Sequence, residues 1–142
     1  MAARSKARKR ALDILYEADI RRVPADLVLQ EQVDRRAADS EPPLNPYVSE
    51  LISGVEAHRE RIDELIGTYA TGWSLARMPA VDRAILRVGA YEVLWQHDLA
   101  EAVAIAEAVA LAQELSTDES APFVNGLLAR LAELKPRLDL DQ

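Results

Sequence analysis

Apolar residues in this chain recur three and four positions apart rather than two, and that spacing confines it to helices. A half-buried β-strand needs strict alternation, and no segment provides it. Alanine and leucine dominate and only five of the 142 residues are glycine, so little interrupts helical propensity. The expected fold class is all-α: a single compact bundle of about seven helices, with residues 1–142 forming one domain. A chain of this length buries roughly 68–70% of its unfolded surface and needs no metal or disulfide staple. It has no cysteine, which excludes disulfides and thiol catalysis and is compatible with a reducing, cytoplasmic setting. No run approaches the roughly 18 apolar residues of a membrane span, and no apolar signal core follows the first basic residues. The expectation is a soluble protein that is not exported.

Charge is unevenly placed. Of 17 Lys and Arg, five (Arg4, Lys6, Arg8, Lys9 and Arg10) fall in the first ten residues, where there is no acidic residue; that leaves 12 against 24 Asp and Glu elsewhere. A basic tip therefore projects from an acidic body, and a local field of this kind attracts a polyanion despite a net charge of −7. In the first segment Ala7, Ala11, Ile14, Leu15 and Ala18 share one helical face, while Lys6, Lys9 and Arg10 project from the other side. Asp13 and Glu17 stand at helical spacings from Lys9 and Arg10, so intrahelical ion pairs are an alternative use of those two cations.

Pro24 opens a second helix towards Ser40, and Pro42, Pro43 and Pro46 forbid its continuation. Asn45 then Pro46, an N-cap and a preset first position, start a helix burying Val48, Leu51, Ile52 and Val55. A fourth helix carries Ile62, Leu65, Ile66 and Tyr69 and weakens at Gly67 and Gly72; Trp73, Leu75 and Met78 connect it to Pro79. From Pro79 to about His97 apolar residues occupy more than one face, which marks a surrounded, central helix. Gly89 inside it predicts a closely crossing backbone, since glycine costs about 1 kcal/mol there relative to alanine. An alanine-rich helix over Glu101–Leu115 follows, and then a last one, with Ser120 as its N-cap and Phe123, Val124, Leu127, Leu128, Leu131 and Leu134 inward. Asn125 and Gly126 read as structural, the glycine permitting close packing.

No catalytic constellation is apparent. His58 and His97 are far apart and outside any metal-ligand pattern, so no metal site is expected. The glycines form neither a phosphate-cradling loop nor a dinucleotide fingerprint, and no cofactor is expected. The carboxylates show no defined acid–base pair, so catalytic residues are none and a binding protein is favoured over an enzyme.

The blocks VDRAILRVGAYEVLWQHD (Val81–Asp98), VAIAEAV (Val103–Val109) and SAPFVNGLL (Ser120–Leu128), together with RSKARKRALDILY (Arg4–Tyr16), resemble the transcription antitermination factor NusB family. The resemblance implies an all-helical RNA-binding factor that pairs with NusE, a small-subunit ribosomal protein, on the boxA segment of nascent RNA. It would help RNA polymerase within an antitermination complex to pass terminators, notably in ribosomal RNA operons. Arg4, Lys6, Arg8, Lys9 and Arg10 match the family's RNA-contacting basic positions, and Tyr16 a position near the RNA and partner surface. Asp82 and Glu119 match acidic partner-facing and RNA-modulating positions. For Tyr16, packing at a helix rim is the competing explanation, and for both acids it is helix-start electrostatics.

Three departures stand out: Ala106 replaces the usual asparagine of VAINEAV, Ala100 replaces a proline, and the opening arginine run is interrupted by Ser5 and Lys6. The alternative reading is a stand-alone helical RNA or protein-interaction adaptor related to the accessory domain of ribosomal RNA methyltransferases. Apolar residues near helix ends are also compatible with a homodimer.

Overall fold

Seven α-helices and two short 3-10 turns make up the regular structure of the computed structural model, which describes residues 3–140. The helices are α1 (Ala3–Arg21), α2 (Ala25–Ala38), α3 (Pro46–Ala57), α4 (Arg59–Tyr69), α5 (Ala80–Trp95), α6 (Glu101–Leu115) and α7 (Ser120–Leu134). The chain divides between Ala57 and His58 into two compact units.

In the first unit α1, α2 and α3 pack on one another. Ala7, Ala11, Ile14, Leu15 and Ala18 are buried as their spacing predicts, and Leu12 joins them. Helix α1 stops at Arg22, which takes a left-handed conformation (φ 59°) while Val23 N–H donates to the Ala18 carbonyl at 3.1 Å. Pro24 precedes α2, which buries only Ala25 and Val28 and ends at Ala38, short of the expected Ser40, itself left-handed at φ 55°. The Asn45 carboxamide accepts the Tyr47 N–H at 2.8 Å, capping α3 just ahead of Pro46 as anticipated. Tyr47 is buried with Val48, Leu51, Ile52 and Val55.

In the second unit α4, α6 and α7 all pack against α5, whose residues from Ala84 to Leu94 are buried without exception. This is the surrounded helix that the sequence predicts. A Cβ at Gly89 would lie 2.6 Å from Leu128 Cδ1 and 3.4 Å from Ala108 Cβ. The close approach is therefore made by side chains of α7 and α6 rather than by a crossing backbone. Ala104, Ala108 and Ala112 give α6 a low buried face that permits it. Gly126 departs from expectation: it is exposed, and a Cβ there would meet nothing within 4 Å. The Asp63 carboxylate accepts Arg87 Nε and Nη2 at 2.9 and 3.1 Å, a two-pronged bond joining α4 to α5. Arg83 donates to the Leu75 and Met78 carbonyls at 3.2 and 2.7 Å, fastening the connector to the start of α5. No described helix is long and apolar enough to cross a membrane.

Candidate nucleic-acid interface

The five cations of α1 separate into two groups. Lys6, Lys9 and Arg10 are exposed, opposite a buried row of alanines and isoleucine. Arg4 is half-buried and Arg8 only 3% exposed; both guanidinium groups lie over the Tyr47 ring, with Cζ 4.4 and 5.7 Å from its centroid. The sequence reading groups Arg8 with the RNA-facing residues; the structure encloses it. No acidic residue stands in the first turn of α1.

The two acids facing those cations differ: Asp13 is attracted by Arg10 and Lys9, whereas Glu17 pairs elsewhere. Glu17 accepts from Arg21 at 2.7 Å, and the same guanidinium reaches Glu31 at 2.7 Å, so Glu17 is drawn along the helix rather than back to Lys9 or Arg10. Arg21 is held more basic by these hydrogen bonds, first that to Glu31, and the Glu31 carboxyl is correspondingly lowered. Partial desolvation raises the Asp13 carboxyl, outweighing the attraction of Arg10 and Lys9. Tyr16 is 44% exposed and Ile20, one turn on, 59%, so this part of α1 presents an aromatic and an aliphatic side chain to solvent.

In the second unit Asp82 is fully enclosed. Its Oδ2 accepts the Ser120 hydroxyl at 2.8 Å and its Oδ1 accepts that of Ser116. The two serine hydroxyls are 2.9 Å apart, and Thr117 Oγ1 lies 3.0 Å from Ser120. A carboxylate so enclosed ties the first turn of α5 to the α6–α7 connection, and this corrects the expectation that Asp82 faces a partner. It also corrects the reading of Ser120 as an N-cap: Glu119 takes the cap position, without a side-chain cap bond, and the serine hydroxyl is engaged by Asp82. Glu119 itself is exposed. Phe123, expected in the core, is half-buried and meets Trp73 edge to face at 5.1 Å between ring centroids.

Neither histidine joins a metal-binding cluster: among the described residues no group of three or more His, Cys, Asp or Glu is arranged to hold a metal ion. His58 stacks on Trp95 at 4.1 Å, and burial lowers its pKa.

A family model of the NusB family matches residues 5–133, which includes the basic helix from Ser5 onward, the Asp82 network and most of α7. The chain belongs to the NusB family. It is 59% identical over 138 residues to transcription antitermination protein NusB of Thermobifida fusca, covering 97% of this chain and 94% of that protein. It is 52% identical to the NusB protein of Streptomyces griseus across the whole length of both. The T. maritima NusB structure superposes with a TM-score of 0.81 at 30% identity, covering 97% of this chain and 99% of that one. A chain from the complex of antitermination factors NusB and NusE with dsRNA shares the fold, with a TM-score of 0.79 at 24% identity, 94% of this chain and 98% of that one.

The resembling blocks lie on α1, α5, α6 and α7; of the departures, Ser5 and Lys6 stand in α1, Ala100 just before α6 and Ala106 within it. Ala106 is exposed on α6, so a methyl occupies the surface position at which the resemblance implies an asparagine amide. Ala100 immediately precedes α6 with φ −65° and ψ 136°, a conformation close to that which proline would impose. Tyr47 was not singled out in the sequence, because its partners Arg4 and Arg8 lie on another helix and no local spacing links them.

Proposed function

We propose that this chain is a transcription antitermination factor that binds boxA RNA together with the ribosomal protein NusE and promotes read-through by RNA polymerase, notably in ribosomal RNA operons. The observation that carries this reading is the outward display of Lys6, Lys9 and Arg10 from a helix whose opposite face is anchored by Ala7, Ala11, Ile14 and Leu15. Packing on one side holds the cations at fixed relative positions, so they meet successive phosphates without first ordering a loose tail. Membership of a family whose relatives are antitermination proteins supports the same reading. The family match crosses both compact units, which supports treating the chain as one functional domain.

The chemistry is binding without bond-making, in the cytoplasm where nascent RNA is found. Exposed Tyr16 offers a face for base stacking beside the cations, and exposed Glu119 an acidic group that tunes RNA approach. Asp82 acts from inside, through the α6–α7 connection. The acidic remainder of the chain repels RNA elsewhere and complements a basic ribosomal protein. The test is binding of a short boxA RNA and a scrambled control, with and without NusE, across a salt series. Preferential binding strengthened by NusE, with a log–log salt slope of roughly −2 for about three phosphates, is the expected result. Equal affinity for both RNAs points instead to a general RNA adaptor, and no binding even with NusE rejects the reading.

A further inference from the structure

We propose that Ser116 and Thr117 are positioning residues for RNA: with Ser120 they fasten the turn between α6 and α7 to the Asp82 carboxylate, and so fix where the exposed acids Asp118 and Glu119 repel a phosphate chain. This rests on the reading of Glu119 as an acid that tunes RNA approach.

Counting protons sets the direction of the network. A serine hydroxyl carries one proton, and a carboxylate only accepts. Ser120 donates to Asp82 Oδ2 at 2.8 Å and Ser116 donates to Oδ1, so both protons are committed. Neither serine has one left for the other across 2.9 Å, and in the 3.0 Å contact between Thr117 and Ser120 the threonine is the donor. The turn is thereby held by its side chains at residues 116, 117 and 120, and the two acids stand between those points.

The backbone is held as well. Ser116, extended at φ −129° and ψ −158°, ends α6 with its N–H on the Ala112 carbonyl at 3.0 Å, and the Ser120 N–H donates to the Thr117 carbonyl at 3.0 Å. Asp82 and Ser120 are fully enclosed, whereas Thr117, Asp118 and Glu119 are exposed, so the anchor is internal and the charges external. Exposed charges act over a screening length of about 8–10 Å, and on a fastened turn they cannot swing away from an incoming phosphate. Held in place, the two acids close one route across the surface and contribute to the orientation of RNA rather than to its grip.

The test measures binding of a short boxA RNA with NusE, at low and high salt, to Thr117→Val, Ser116→Ala, the double variant Asp118→Asn with Glu119→Gln, and Thr117→Val in that neutral background. Neutralising both acids is expected to strengthen binding about fivefold at low salt, and the gain should fade as salt is added. Thr117→Val and Ser116→Ala, which alter no charge, should each strengthen it about twofold by letting the acids move away. In the neutral background Thr117→Val should have no effect, whereas a purely structural role would carry its effect over. If the neutral variant binds more tightly while Thr117→Val and Ser116→Ala bind as the parent does, or if Thr117→Val keeps its effect without the acids, the positioning role is rejected. If the neutral variant binds as the parent does, the reading of Glu119 fails and the proposal with it, while boxA binding by the parent still upholds the wider function. Thr117 is exposed and valine keeps its shape, so this variant decides the matter even if Ser116→Ala does not fold.

Discussion

Ser120 donates its hydroxyl to the Asp82 carboxylate at 2.8 Å, and both residues are sealed from solvent, so the beginning of α5 and the beginning of α7 are held by one charge-assisted bond. Such a bond contributes about 1.5–3 kcal/mol. Ser120→Ala is expected to lower unfolding stability by about 1–2 kcal/mol and Asp82→Ala by about 2–3 kcal/mol, read from urea denaturation. Because the carboxylate is internal, Ser120→Ala and Asp82→Asn should affect NusE binding alike. A loss confined to the Asp82 variant would mean that the carboxylate meets the partner itself.

Gly89 in α5 and Gly126 in α7 should respond in opposite directions to alanine. At Gly126 the added methyl enters open space, and the gain in helix propensity should stabilise the protein by about 0.5–1 kcal/mol. At Gly89 the methyl meets Leu128 Cδ1, and Leu128 is fully buried, so overpacking of about 1–3 kcal/mol should outweigh the same gain. Thermal unfolding of the two variants checks both signs.

Stability should fall in mild acid through His58. Desolvation against Trp95 and Tyr91 holds its imidazole below the ordinary value of about 6.5. The unfolded chain therefore takes up a proton that the folded chain resists, and the unfolding free energy decreases as pH drops from about 6.5 towards the folded pKa. Above that window the contribution is intact. Urea midpoints measured from pH 8 to 5 should show this slope, and His58→Phe should flatten it.

Arg8 and Lys6 are expected to part company when each is changed to glutamine. Arg8 is enclosed over Tyr47, and its loss should cost about 1–2 kcal/mol of stability. Lys6 is exposed, and its loss should leave stability within about 0.5 kcal/mol while reducing the RNA salt slope by about 0.7. Denaturation and RNA titration of the same two proteins make the comparison.

The helices themselves were largely legible, because apolar spacing and helix-start chemistry are local signals. The buried row of α1, the Asn45 cap and the limits of α6 follow directly from the order of residues. What spacing cannot convey is which side chain answers which across the fold. Gly89 announces a close neighbour but not that it is Leu128, and Gly126, the same residue type, has none. The candidate interface shows the same boundary: the exposure of Lys6, Lys9 and Arg10 is implicit in helical periodicity, but the placement of Arg8 over an aromatic residue of α3 is not. Ser120 looked like a cap because serine before a helix is usually one; a buried carboxylate from α5 has first claim on its hydroxyl.

The basic start of α1 carries a cost in the free protein. Amide groups at a helix beginning already present partial positive charge, and here five cations fall within the first ten residues, with no acid in the first turn. Added salt screens this self-repulsion and should slow amide exchange in the opening turns, even as it loosens RNA. On the proposed reading a bound phosphate chain adds negative charge at this end directly, so gripping RNA should also firm the helix, and ionic strength should act with opposite signs before and after loading.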